Sequence, residues 1–125
     1  MRYLGVDFGL RRIGLAQSAG IIASPLKTIE VKSLKDAQEK VKELIRSEGF
    51  DKAIIGLPEG KMGQTVSGFI KALSKAGIDV ETADETLSSQ QALTQMIKLN
   101  IPKKKRLIRD ADAAAIILQN YLDSQ

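Results

Sequence analysis

The sequence predicts an α/β chain built on a five-stranded mixed sheet with helices on both faces, in the order β-β-β-α-β-α-β-α-α. Three observations predict it. Residues 2–31 hold three short runs of strand character separated by brief links, which favours antiparallel hairpins over crossovers. From Ser33 the apolar spacing changes to that of a helix. Strands and helices then alternate, which calls for right-handed crossovers and parallel strands.

The first strand is read over Arg2 to Phe8 and the second over Ile13 to Ser18, joined by a tight turn containing Gly9, Arg11 and Arg12. The third runs from Pro25 to Val31, with Leu26, Thr28 and Glu30 alternating against Lys27, Ile29 and Val31. Ser33 is a suitable N-cap for a helix whose apolar stripe is Ala37, Val41, Leu44 and Ile45, and Gly49 supplies the stop. Its other face, Lys35, Asp36, Glu39, Lys40, Lys42 and Glu43, reads as solvated charge pairs. Lys52 to Leu57 is the fourth strand, ended by Pro58, and Glu59 to Gly63 is a Gly-containing loop. Val66, Phe69, Ile70 and Leu73 mark a second helix that ends near Ala76-Gly77. The fifth strand is Asp79 to Ala83, a third helix carries Ala92, Leu93, Met96 and Ile97, and a final helix spans Asp110 to Leu122.

At 125 residues the chain is expected to form one domain, 1–125. No apolar run reaches the ~20 residues of a membrane span, and with Arg2-Tyr3-Leu4-Gly5-Val6-Asp7 at the start a cleavable signal is not expected. A cytoplasmic protein is expected, and the absence of cysteine agrees with that compartment. With neither Cys nor His, thiol nucleophiles, imidazole bases and ordinary zinc sites are excluded. Catalysis would fall to carboxylates, hydroxyls, Lys, the backbone or a bound hard cation. The net charge of +4 leans toward polyanions, and the densest basic run is Lys103-Lys104-Lys105-Arg106.

An aspartate inside an apolar strand needs a partner, and Asp7 lies between Val6 and Phe8. Asp7 lies on strand 1, Glu85 just past the end of strand 5, and Asp110 opens the last helix, so the topology is expected to bring all three together at the carboxyl edge of the sheet. The helical period separates Asp110 from its neighbour Asp112: with Ile117 at zero, Asp110 falls at about 20° on the apolar stripe and Asp112 at about 220° on the wet side. Asp110 is therefore expected to face the sheet, and Asp112 water, beside Gln119 and Asp123. Asp84 and Glu59 are rivals for places in the set. Converging carboxylates need positive charge to stay ionised, and Mg²⁺ or Mn²⁺ suits all-oxygen donors. Two such ions ~4 Å apart support in-line attack of water on a phosphodiester. Arg11, Arg12 and Lys103, Lys104, Lys105 and Arg106 would hold the nucleic-acid backbone.

Four blocks in order resemble the YqgF (RuvX) group of the RNase H-like superfamily. They are Gly5-Val6-Asp7-Phe8-Gly9 with Arg12-Ile13-Gly14-Leu15-Ala16, Ile55-Gly56-Leu57-Pro58 with Gly63, Asp84-Glu85-Thr86-Leu87, and Asp110 with Ala113-Ala114 and Ile117-Leu118. The resemblance covers nearly the whole chain. It implies an RNase H-like fold, divalent-metal nuclease chemistry and Asp7, Glu85 and Asp110 as the acidic set. The implied substrates are pre-16S rRNA, matured at its 5′ end, and branched DNA at Holliday junctions, the rRNA role ranking first. Junction resolution would call for a symmetric homodimer. Thr86, Met62 and Ala19 stand where the family usually has Arg, Asp and Asp, which alters substrate contacts while the three acids remain. The reading opposed to an enzyme is a nucleic-acid binder of the same fold that does no chemistry.

Overall fold

The computed structural model describes residues 1–57, 62–84 and 109–125. The expected third helix, Glu59, Glu85 and the run Lys103 to Arg106 lie outside the described residues. The described strands are β1 (Tyr3–Asp7), β2 (Arg12–Ser18), β3 (Ser24–Glu30), β4 (Lys52–Leu57) and β5 (Val80–Asp84). The helices are α1 (Leu34–Glu48), α2 (Met62–Lys75) and α3 (Arg109–Asp123).

The strands form one sheet in the order β3-β2-β1-β4-β5. β1 pairs antiparallel with β2 and parallel with β4, and β4 pairs parallel with β5. The expected mixed sheet is therefore present, with β1 at its centre and the carboxyl ends of β1, β4 and β5 at one edge.

Alternation along the strands splits the core in two. Leu4, Val6 and Phe8 of the first strand region join Ile13, Leu15, Ala53 and Ile55 against Ala37, Val41 and Ile45 of α1 and Val66, Phe69 and Leu73 of α2. On the opposite face Ala16 and Ile54 pack against Ala114, Ile117 and Leu118 of α3. Phe8 and Phe69 meet with ring centroids 5.0 Å apart. Each fully buried Leu, Ile or Phe side chain contributes roughly 1.5–3 kcal/mol relative to exposure.

The ends of α1 follow from its sequence. Ser33 is the N-cap, and its hydroxyl accepts the Asp36 N–H at 3.1 Å. The Asp36 carboxylate in turn accepts the Lys32 N–H at 2.9 Å. Gly49 closes the helix in the left-handed region, φ 73°. The charged face carries the Lys40–Asp36 and Lys42–Glu39 pairs at 3.3 and 3.5 Å.

The simple alternation expected for the third strand is broken. The β2–β3 register shifts between Leu15 and Ala16, which pair with Lys27 and Pro25, so Leu26 is skipped. Leu26 accordingly packs with Ile29 on the α1 side rather than with Thr28. Among the described residues no helix is long and apolar enough to cross a membrane.

Candidate active site

Asp7 is the last residue of β1 and only 8% exposed. The alternation that sends Leu4 and Val6 toward α1 and α2 sends Tyr3, Gly5 and Asp7 toward α3. Tyr3 meets the Tyr121 ring at 5.9 Å, centroid to centroid. A methyl group on Gly5 would lie 2.8 Å from the Leu118 β-carbon and 2.9 Å from the Ala114 carbonyl oxygen. The helix therefore lies along β1 with its C-terminal end over Tyr3 and its N-terminal end toward Asp7.

Gly14 makes the close approach at that N-terminal end. It pairs with Asp7 across the β1–β2 ladder, and a β-carbon on it would overlap the carbonyl group of Asp110. Only a residue without a side chain lets the first turn of α3 rest on the sheet here. Buried Ala111, Ala113 and Ala114 thin the helix face in the same way. Asp7, Gly14 and the Asp110 backbone thus form one contiguous row.

Arg12 supplies positive charge beside that row. Its Nε lies 3.8 Å from Asp110 Oδ2, and the two side chains are 52% and 31% exposed. Asp110 and Asp112 both occupy the first turn of α3.

Asp112 departs from the expectation that it faces open water. It is half-buried, and that burial raises its carboxyl above the usual value. Gln119, two turns along the same side of α3, is engaged as well. The Gln119 side chain accepts the Ala23 N–H at 2.8 Å and donates to the Ile21 carbonyl at 2.9 Å, so the β2–β3 link runs against this side of the helix.

Gly9 also has a different role from the one its position suggests. A β-carbon there would run into the Arg12 carbonyl oxygen, so its bareness serves closure of the β1–β2 turn. Val31 N–H donates to the Arg11 carbonyl at 2.8 Å and fixes the turn against the end of β3. Arg11 and Arg12 are both exposed.

Among the described residues no group of three or more acids converges on one point. Two of the three expected members, Asp7 and Asp110, are brought to one edge. Glu85 lies outside the described residues, as do Glu59 and the four basic residues Lys103 to Arg106; Asp84, the other rival, ends β5 at the same edge as Asp7. Sequence spacing marked Gly14 only as part of a strand. Its signal was a glycine between Ile13 and Leu15, the one bare position facing α3 in an otherwise apolar run.

A mixed five-stranded sheet in this order, with helices on both faces, is the RNase H-like fold. Solved structures agree. RuvC of Thermus thermophilus in complex with Holliday junction substrate superposes with a TM-score of 0.65 at 20% identity, covering 99% of this chain and 94% of that one. The fowlpox virus Holliday junction resolvase gives 0.66 at 16% identity, with 99% of both chains covered.

The chain belongs to the RuvX family, described as Holliday junction resolvase, whose profile matches residues 1–124. A relative from Endomicrobium trichonymphae is 38% identical over 99% of this chain and 96% of its own length. One from Thermoanaerobacter pseudethanolicus is 38% identical over 100% and 98%. Both carry the name "Putative pre-16S rRNA nuclease".

Proposed function

We propose that the protein is a divalent-metal-dependent endonuclease of structured nucleic acid, with pre-16S rRNA, cut at its 5′ end, as its principal substrate. The observation that carries this reading is the Asp7–Gly14–Asp110 row: a buried strand carboxylate and a helix-opening carboxylate held at one edge by a glycine that no other residue can replace without displacement. The names of relatives matched over nearly their full length support pre-16S rRNA as that substrate.

The donor set fits Mg²⁺ or Mn²⁺. It is all oxygen, and among the described residues Arg12, at 3.8 Å, is the one ion-pair partner of Asp110. Asp7 and Asp110 would hold the cation, with Glu85, the residue that follows β5, as the third acid. Such ions lower the pKa of an attacking water and stabilise the leaving oxygen, and a pair of them would do both in line. Burial keeps Asp7 fixed on the central strand. Arg12 balances Asp110 and is placed to meet a substrate phosphate. Arg11 and the Lys103, Lys104, Lys105, Arg106 run hold the flanking backbone. In this reading residues 1–125 act as one nuclease domain in the cytoplasm.

A second reading, resolution of Holliday junctions as a homodimer, is favoured by the family description and by the fold of the solved resolvases. One experiment addresses both. A pre-16S rRNA fragment and a four-way DNA junction are incubated with wild type and with Asp7→Asn, in Mg²⁺ or Mn²⁺. Wild type is expected to cleave the rRNA, and Asp7→Asn to lose on the order of a thousandfold in rate. Cleavage of the junction alone moves the assignment to resolution. Identical behaviour of the two proteins on both substrates leaves only the binder that does no chemistry.

A further inference from the structure

On the side of Arg12 away from Asp110, where the β1–β2 turn meets the end of β3 and the first half of α1, lies an open cavity of about 690 Å³. Arg11, Arg12, Glu30, Val31, Lys32 and Lys40 line it. We propose that this cavity is a track for the phosphodiester backbone of the strand adjoining the cleaved bond, with Lys32 as its outer contact. The proposal rests on the nuclease reading for its direction, since it runs away from the acids, but its chemistry stands on the cavity alone.

The charges in it are of two kinds. Lys40 is committed: its ammonium donates to the Glu30 carbonyl at 2.8 Å and pairs with Asp36 at 3.3 Å. It forms a wall. Arg11 and Lys32 are exposed and make no ion pair within 4 Å among the described residues, although the Lys32 charge acts at longer range on the Asp36 carboxylate. Arg12 belongs to both places, since it lines the cavity and reaches Asp110. Four cations thus surround one carboxylate side chain, Glu30, and two of them are left for a ligand.

These cations stand on fixed backbone. The Arg11 carbonyl accepts the Val31 N–H, and the Lys32 N–H is held by the Asp36 carboxylate within the cap of α1. A rigid frame carrying unpaired cations is suited to an anion longer than a single phosphate, because the charged groups come from two separate elements. The continuity through Arg12 means that an anion lying in the cavity runs on toward Asp7 and Asp110.

The lining also states what is not recognised. Among the described residues Val31 is its only apolar lining residue and no aromatic ring lines it, so none of them offers a platform for base stacking. Recognition would be of phosphates and indifferent to sequence, with the strong salt dependence that such contacts carry. RNA and DNA share that backbone, so both strands are probes.

The test is binding in EDTA, where cleavage cannot intervene. Labelled single-stranded RNA and DNA oligonucleotides are titrated with the full chain across a range of salt, and anisotropy gives the affinity. Lys32→Ala is expected to weaken binding severalfold and to lower the slope of log K against log salt by about 0.7, the value for one phosphate contact on a single strand. Lys32→Glu should weaken it further. Arg46→Ala, an exposed cation at the far end of α1, should change neither quantity. An effect on either strand supports the track, and the strand affected more identifies its source. Wild-type affinity and slope for both Lys32 variants on both strands overturn it. Because no metal is present, that failure is separate from failure of the nuclease reading, which the Asp7→Asn cleavage assay decides.

Discussion

A single methyl group at position 14 is expected to disable the site while leaving the chain folded. The β-carbon of Gly14→Ala would overlap the carbonyl group of Asp110 and lie 2.7 Å from the Ala111 nitrogen. These are backbone atoms of the first turn of α3, so no side chain can swing aside. β2 cannot retreat, because it is hydrogen-bonded to β1 on one side and β3 on the other. The start of the helix must therefore lift by more than about 1 Å, a displacement that costs about a hundredfold when it moves a catalytic group. Overpacking of this kind destabilises by about 1–3 kcal/mol, which lowers Tm by several degrees, on the order of 5 °C or more. Gly5→Ala is the control. It meets α3 at Ala114 and Leu118, about one and two turns from Asp110, so it should lower Tm comparably with a smaller loss of activity. The assay is turnover in Mn²⁺ well below both melting temperatures, with Mn²⁺ affinity measured by calorimetry. If Gly14→Ala keeps wild-type turnover and Mn²⁺ affinity, the seat of α3 on Gly14 does not position Asp110, and the row has no functional meaning.

Three further outcomes follow from single contacts. Arg12→Met removes a cation 3.8 Å from Asp110 and should tighten Mn²⁺ binding by up to about fivefold, as expected for one half-exposed ion pair; unchanged or weaker binding by calorimetry contradicts Arg12 as the resident counter-charge. Thr28 pairs with Gly14 in register, and its hydroxyl oxygen is buried with no hydrogen-bond partner among the described residues, so Thr28→Val should raise stability by about 1 kcal/mol in urea unfolding. A loss of stability there would mean that the hydroxyl is used. Asp36 titrates below its ordinary 3.8, chiefly because the Lys32 N–H bonds to it, with burial opposing and Lys40 assisting. A carboxyl lowered in the folded state stabilises above the unfolded pKa and loses that contribution as pH falls through the folded one. Asp36→Asn should therefore melt below wild type at neutral pH, and the gap should close in acid below 3.8; a gap independent of pH would rule out the charged hydrogen bond as its source.

Periodicity carried the fold because each element has one dominant neighbour. Leu4 and Val6 alternate with Gly5 and Asp7, and that alone assigns two faces to the central strand. Ser33 and Gly49 state the two ends of α1 in residues whose local chemistry admits little else. Strand boundaries moved by one residue, as for Val80–Asp84 against an expected Asp79 to Ala83, because hydrogen-bond pairing with β4 and not apolar content decides where a strand ends.

What the sequence could not express were relations among three elements. A helical wheel treats the sheet as the only neighbour of α3, and on that assumption Asp112 and Gln119 belong in water. The link through Ile21 and Ala23 supplies a second neighbour, bonded to Gln119, and that side of the helix becomes half-buried. The bulge beside Leu15 is of the same kind: it is invisible in the alternation of β3, yet it decides that Leu26 joins the α1 side. Gly14 joins both lessons. The sequence offers it as one glycine among several, and only the meeting of β1, β2 and α3 turns its missing side chain into the spacing between two carboxylates. Asp7 and Asp110 stand out in the sequence by charge and position, whereas the close approach of the elements that carry them rests on a residue with no side chain.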